Sequence, residues 1–592
     1  MLSRRLPNGH RRGSVLVAAA LLAVLAINTG AAQETLTVVV DGVTGAIGDN
    51  VDAFLQIQRV AESREPPPGE ARIRWLHQAA LQDIQNALQP FGYYRPRIDS
   101  RLTRTRNGWQ AEYRIEPGPP IPIAKLDVRV LGAGADDPAF RKLLADLPLA
   151  VGHRLQHQRY EKIKQDLQNI ATERGYFDAR LSENQIQIDL AHYRANVALH
   201  LDTGARYRYG PIRFEQKTLA PEFLQRYLDI KTGDPYAAAD LLKLQSSLIA
   251  SDYFDEVVLD ASPDRAEKGS VPVDIKLSAR NQRKYSGGLG YGTDTGVRGR
   301  LRLEQRWVNR WGHRYEAEVL ASQRRYGVAG QYTIPGQNPR SDSLNLRSSL
   351  SAEKSTVVDS QTATLGAVLQ REREPWQSRL SLDYQWEAFK FSGERRTTSL
   401  LIGGAGWTWV QADDRTHTTN GTRLGIELRG AGAFLLSDIS FAQAALRAKW
   451  IKTLNPKNRL IMRGDAGSTL IKDSDFDQLP ATLRFFAGGD NSVRGYALNV
   501  IGPRDADGDV IGGKRLLVGS VEFEHEIREN WSIAAFVDSG DAFNDAAPEF
   551  RTGLGLGVRW RSPVGPLRMD FAHGLERPGD AFRLHLSIGP DL

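Results

Sequence analysis

Arg379-Leu380-Ser381-Leu382-Asp383-Tyr384-Gln385-Trp386-Glu387-Ala388 alternates a charged or polar residue with an apolar one along its whole length. Successive side chains of a β-strand point to opposite faces, so this stretch reads as a strand with charge on one face and apolar groups on the other. The same period recurs on both sides of it. Leu301, Leu303 and Trp307 face away from Arg300, Arg302, Glu304 and Arg306, and Leu424, Ile426 and Leu428 from Arg423, Gly425, Glu427 and Arg429. Val521 and Phe523 alternate with Glu522, Glu524 and Glu526, and Leu567, Met569 and Phe571 with Arg568 and Asp570. The pattern starts near Tyr285 and runs to the C-terminus with no helical interruption. A two-sheet sandwich also alternates, with its apolar face inward. Such a length of consecutive strands exceeds a sandwich domain, and polar faces carrying both signs of charge suit a water-filled or plugged lumen. The expected fold of this half is a transmembrane antiparallel β-barrel, the closed form that satisfies every backbone group in lipid.

The other end of the chain supplies a compartment. Arg4, Arg5, Arg11 and Arg12 precede an apolar run from Val15 to Ile27, and Gly30-Ala31-Ala32 offers a cleavage site. This reads as a secretory signal peptide over residues 1–32, since the run is shorter than the roughly 18 residues of a membrane-spanning helix. Its removal takes away four arginines and no acid, so the net charge falls from +7 to +3 (7 − 4). No basic block survives, which argues against a nucleic-acid partner. The chain has no cysteine, which excludes a disulfide framework and thiolate metal sites.

Between signal and barrel the sequence repeats itself. Gly92-Tyr93-Tyr94-Arg95 recurs as Gly175-Tyr176-Phe177-Asp178 and, more weakly, as Asp252-Tyr253-Phe254-Asp255. The tyrosines are 83 (176 − 93) and 77 (253 − 176) positions apart. Each copy follows a helical segment with one apolar face: Ile73, Leu76, Ala80, Ile84 and Leu88 before the first, Ile163, Leu167 and Ile170 before the second. Short strands at Leu36–Val40, Ile123–Val130 and Ile212–Phe214 open the units, and two strand-like runs close each one. The implied order is strand, helix, helix, strand, strand, with the glycine ending the helix and the aromatics filling the core. Three α+β modules are expected at 33–118, 119–204 and 205–280, followed by the barrel at 281–592.

Phe485-Phe486-Ala487-Gly488-Gly489-Asp490-Asn491-Ser492-Val493-Arg494-Gly495-Tyr496 interrupts the alternation with one arginine among small and aromatic residues. An unpaired buried guanidinium is costly, so Arg494 invites pairing with the carboxylate of Phe536-Val537-Asp538-Ser539-Gly540. Glycines at 488, 489 and 495 permit close backbone approach, and Tyr496 is placed to stack on or wedge beside the guanidinium.

Signal, tandem repeats, barrel and the Val-Arg-Gly-Tyr loop together resemble the superfamily of outer-membrane assembly and secretion pores built from POTRA domains and a β-barrel. Within it the chain most resembles the TamA family, the outer-membrane subunit of the translocation and assembly module. Arg559-Trp560-Arg561-Ser562-Pro563-Val564-Gly565-Pro566 and the ending Ile588-Gly589-Pro590-Asp591-Leu592 add to the likeness. The resemblance implies POTRA modules and a barrel of sixteen strands. It implies that the loop of Val493, Arg494, Gly495 and Tyr496 folds into the lumen, with Asp538 as the partner of Arg494. Gly540, Gly555, Gly557 and Arg559 would form the receiving wall. It implies an outer-membrane location with periplasmic modules, and a role in inserting or translocating autotransporter-type and other β-barrel proteins. The implied partners are a TamB-like, inner-membrane-anchored protein, unfolded outer-membrane protein substrates and outer-membrane lipid. The terminal leucine departs from the aromatic residue that commonly ends such barrels, although members of this family end in Gly-Pro-x-Leu.

A lateral seam is expected where the barrel closes. Gly287, Gly288 and Gly290 loosen the first strand, and Gly589-Pro590 ends the last, where proline cannot donate a ladder hydrogen bond. A weak seam could offer its edges to a substrate strand. The alternative reading is a secretion or diffusion pore with the modules as cargo receptors. No catalytic, cofactor or metal motif appears: Asp505-Ala506-Asp507-Gly508-Asp509 lacks the distal glutamate of a calcium loop, His525 points away from Glu524 and Glu526, and His573 and His585 read as surface or lumen histidines.

Overall fold

The computed structural model describes residues 35–63, 68–292, 296–355, 357–391, 393–414, 417–562, 565–576 and 582–588. The expected signal segment, Pro563-Val564 and the terminal Gly589-Pro590-Asp591-Leu592 lie outside them. The chain divides into two compact units, one ending at Arg206 and one beginning at Tyr207.

The first unit holds two α+β modules. In the first, strand Thr35–Asp41 pairs parallel with Gly108–Glu116, which pairs antiparallel with Arg97–Thr105. Helix Glu70–Leu88 covers the sheet with Ile73, Leu76, Ala80, Ile84 and Leu88, all buried. The preceding helix is broken into Gly45–Phe54 and Gln56–Ala61 by Leu55, whose extended backbone turns its side chain fully into the core. The second module repeats the plan with strands Ile123–Leu131, Arg180–Asp189 and Arg194–Asp202 and helices Pro138–Ala145 and His157–Glu173.

The Gly-Tyr-Tyr turn does more than fill its own core. Gly92 has φ +83°, and a Cβ there would lie 2.3 Å from the Leu155 carbonyl oxygen. Its own carbonyl accepts from the Ile121 amide at 2.8 Å. The Tyr93 hydroxyl accepts from Arg154 at 2.9 Å, and the Tyr94 hydroxyl pairs with His157 Nε2 at 2.8 Å. The turn therefore bolts the first module to the second.

In the second unit a third module of the same plan (strands Arg208–Glu215, Phe254–Asp260 and Ser270–Ala279) meets the rim of the large sheet through its copy of that turn. Here aspartate replaces glycine: Asp252 sits at φ +59°, a conformation its short polar side chain tolerates, and its carboxylate accepts from Arg306 at 2.8 Å and pairs with Arg280. The Tyr253 hydroxyl donates to the Gly312 carbonyl at 2.5 Å, with the Arg314 guanidinium 4.2 Å over its ring. Asp229 of the module also receives both Nη groups of Arg340, one at 2.7 Å.

Arg340, with Lys243 beside it, holds the Asp229 carboxyl down at about 2. Its folded value lies below the unfolded one, so the stabilisation is complete above about pH 4 and is lost as pH falls towards 2. The difference in thermal stability between the protein and Asp229→Asn is expected to stay constant above about pH 5 and close below about pH 4. A difference that persists at the acidic end would show that the carboxylate contributes nothing to the junction.

Among the described residues the large sheet has sixteen strands, from Arg283–Gly292 to Arg583–Ile588, each antiparallel to the one before it in sequence. The first and last strands approach within 8 Å, closing the sheet. Strand Trp376–Phe391 shows why it closes this way round. Leu380, Leu382, Tyr384 and Trp386 are 55, 53, 42 and 39% exposed, whereas Asp383 and Glu387 are 7 and 0% exposed. Apolar groups outside and charges inside invert the arrangement of a soluble protein and match a barrel wall in lipid. No helix among the described residues is long and apolar enough to cross a membrane.

Candidate functional site

Residues 472–514 connect strand Asn458–Ile471 to strand Arg515–Arg528 and fold back against the inner wall. The first arm packs Phe476, Leu479 and Leu483 on Leu400, Ile402, Ile439 and Phe441. Arg484 fastens it, donating to the carbonyls of Leu479 (2.8 Å), Phe476 (3.1 Å), Asp477 (3.2 Å) and Ile511 (3.0 Å). On the wall, the wholly buried Glu387 accepts from the Thr482 hydroxyl at 2.5 Å. Bridges Phe485↔Gly513 and Ala487↔Ile501 then draw the loop into a narrow double strand. At its tip Gly488 and Gly489 take φ near +100°, and a Cβ on Gly488 would meet the Ala497 carbonyl at 2.4 Å. Only glycine makes that crossing without strain.

The tip presents Arg494, 5% exposed, to a grid of inward-facing side chains. Strand register places Ser520 opposite Asp538 and Asp538 opposite Gly553. Two residues along lie Glu522, Phe536 and Gly555, and beyond them Gly557, Asp570 and His585 in one row. Asp538, with no exposure, takes a fork from Arg494: Nε at 2.7 Å, Nη2 at 2.9 Å, and the Arg494 backbone amide at 3.0 Å. Arg494 Nη1 reaches Glu522 at 2.7 Å and Asp570 at 3.0 Å. Those two carboxylates are shared with Arg559, at 2.7 and 2.5 Å. Arg463 stands 4.0 Å from Asp538, and Arg459 donates to Glu524 at 2.8 Å. Four guanidiniums thus face four carboxylates, which offsets the desolvation of each.

The wall glycines are sockets for specific neighbours. A Cβ on Gly553 would lie 1.8 Å from the Arg494 carbonyl oxygen, on Gly555 2.2 Å from the Phe536 ring, and on Gly557 1.9 Å from Asp570 Oδ1. The ring that lies against the guanidinium is Phe536, 3.3 Å from it to the centroid. Tyr496, expected in that place, turns away: it rests on Gly574 and donates to Glu576 at 2.6 Å. Gly540 packs on Val518, which in turn supports Val493 and Tyr496, so it serves the loop at one remove. Gly495 lies against the backbone of His573 and Gly574, and its amide donates to His585 Nε2 at 3.0 Å. The acidic turn closes on itself, Asp505 accepting from the amides of Asp507 and Asp509.

Sequence reasoning brought Arg494, Asp538, Gly555, Gly557 and Arg559 to one place and missed Glu522, Asp570, Phe536, Gly553 and His585. The missed residues carried a signal, since each occupies the inward phase of its strand. Beside the first arm of the loop, whose Leu483 forms part of its lining, the lumen keeps a cavity of about 520 Å³ walled by ion pairs such as Arg347–Asp383 (2.6 Å) and Arg302–Glu318 (3.1 Å). The arrangement fixes the tip of the loop to six consecutive wall strands, from Asn458–Ile471 to Arg583–Ile588.

The closed sheet with an apolar exterior, the charged lumen and the preceding α+β modules define a membrane β-barrel with N-terminal modules outside the bilayer. Sequence comparison matches the Omp85 superfamily domain over residues 281–591, more than half of the chain, and the chain belongs to that superfamily. Residues 37–117 match the first POTRA domain of TamA, and residues 207–280 a POTRA repeat described as a surface antigen variable number repeat. Outer membrane protein assembly factor BamA of Nitratidesulfovibrio vulgaris is 27% identical over 60% of this chain and 47% of its own. BamA of Neisseria meningitidis is 20% identical over 73% of this chain and 62% of its own. The chain thus spans about half to two thirds of these relatives. The crystal structure of Haemophilus ducreyi BamA lacking POTRA domains 1–3 shares the fold, with a TM-score of 0.66 at 19% identity over 79% of this chain and 99% of that one. The protein is an outer-membrane protein with its POTRA modules in the periplasm.

Proposed function

We propose that this protein is an assembly factor that helps autotransporter-type and other β-barrel proteins insert into or cross the outer membrane. The modules, proposed to fold as units near 33–118, 119–204 and 205–280, would receive unfolded substrates. A TamB-like partner anchored in the inner membrane would deliver them; the likeness of the first module to a TamA domain supports that partner, and the BamA relatives support the general role.

The observation that carries the mechanism is the closure of the sheet. The last strand, Arg583–Ile588, has six residues against ten in the first, which contains Gly287, Gly288 and Gly290. Among the described residues no ladder joins the two. A closure this weak can part and lend its edges to an incoming strand. The loop seated in the lumen weighs against a simple diffusion pore. The test is a covalent seam: Leu289→Cys with Leu586→Cys, both on the outward phase, joined by oxidation or a short cleavable thiol crosslinker in a chain without other cysteines. The crosslinked protein is expected to keep its heat-modifiable barrel and lose insertion of a model autotransporter, with activity returning on cleavage of the link. Full activity while crosslinked would exclude lateral opening.

A further inference from the structure

The last strand is held from two sides. Its ladder to strand Gly565–Gly574 runs from Ala572↔Arg583 to Leu567↔Ile588. Its second hold is a side chain: His585, 2% exposed, points into the lumen and meets the tip of the arginine loop. The Gly495 amide donates to His585 Nε2 at 3.0 Å, and Nδ1 of the same ring pairs with Asp490, also on the loop. An imidazole nitrogen that accepts carries no proton, so the ring proton sits on Nδ1 and is donated to the Asp490 carboxylate. Both ring nitrogens are thus spent on the loop. His585 is also opposite Asp570 in the ladder, one of the carboxylates that binds Arg494. The loop and the seam strand therefore share one hydrogen-bonded network.

We infer that Asp490 and His585 form a latch that ties the last barrel strand to the arginine loop, so that the seam strand leaves the wall only when the loop lets go. His585 is thereby a positioning residue for seam opening. This rests on the seam reading above. A latch of this kind makes loop position and seam state two readings of one equilibrium, each able to shift the other.

The test measures the seam directly. Spin labels on cysteines replacing Leu289 and Leu586, on the outward phase of the first and last strands, report the distance between them in lipid nanodiscs by double electron–electron resonance. His585→Phe keeps a ring without nitrogens, and Asp490→Ala removes the partner from the loop side, where barrel folding is least at risk. Asp490→Ala is expected to raise the population with separated labels by about tenfold, the shift that follows from losing one charge-assisted hydrogen bond, and His585→Phe, which also loses the bond from the Gly495 amide, by at least as much. His585→Gln, which restores an acceptor for the Gly495 amide, is expected to return the distribution towards that of the parent. Unchanged distances in both Asp490→Ala and a folded His585→Phe would overturn the latch, as would His585→Gln behaving like His585→Phe. Longer distances without any change in substrate insertion would support the latch while refuting the seam as the insertion path, so the two readings fail separately.

Discussion

Arg494→Ala is expected to release the loop from the wall, expose residues 485–510 to protease and abolish most assembly activity while the barrel remains heat-modifiable. The change leaves Asp538 with no solvent exposure and with Arg463 4.0 Å away as the nearest remaining guanidinium. Breaking a fully buried ion pair by removing one partner costs about 3–5 kcal/mol, and water in the lumen lowers that figure. Asp538→Ala removes the fork acceptor and should match it closely. The double variant should be little worse than either single one, because both lose the same interaction. Glu522→Gln and Asp570→Asn should be milder, because in either variant Arg494 keeps its fork at Asp538 and both Arg494 and Arg559 keep the other shared carboxylate. Arg494→Lys should rescue only partly, since an ammonium cannot supply the fork at Asp538 together with contacts to two further carboxylates. Strictly additive losses in the double variant would show that Arg494 and Asp538 act separately.

Gly553→Ala is expected to expel the loop as effectively, although it removes no charge and no hydrogen bond. The new Cβ would stand 1.8 Å from the Arg494 carbonyl oxygen, where real contacts begin at about 3.0 Å. The obstacle is backbone on both sides, so the gap must open by roughly 1.2 Å (3.0 − 1.8), and a 2.7 Å fork at Asp538 cannot stretch that far and survive. Tryptic cleavage within the loop, which contains Arg484, Arg494 and Arg504, is the direct readout. Gly519→Ala is the control, because a Cβ there meets nothing within 4 Å. A loop equally protected in the Gly553 and Gly519 variants would mean that the loop does not sit where this contact requires.

Some of this architecture is local and could be read from neighbours in the chain. Period two in Arg379–Ala388 assigns faces, because alternation is a property of a strand wherever it pairs. The apolar spacing of Ile73, Leu76, Ala80, Ile84 and Leu88 assigns the buried side of a helix in the same way, and all five are buried. Arg494 and Asp538 could be matched across 44 positions because a loop arginine in an apolar stretch and an inward strand carboxylate each lacked a partner nearby.

Other features depend on which strands become neighbours and in what register. Glu522, Phe536, Gly553, Asp570 and His585 all advertise an inward face, yet nothing local says that they share one patch of wall. That follows from register: a slip of one residue between any two strands would carry a whole row outside. Phe536 rather than Tyr496 backs the guanidinium because Gly555 leaves space for that ring, a fact of the neighbouring strand. The Gly-Tyr-Tyr turn likewise showed its helix-ending glycine in the sequence, while its grip on Arg154 and His157 of the next module did not appear there. The amino-acid sequence by itself determined the strands, the faces and the odd arginine, because these rest on periodicity and on the cost of an unpaired charge. The tertiary structure alone decided which carboxylates, ring and histidine meet that arginine loop, because lateral pairing and a re-entrant loop join residues that no short-range rule connects.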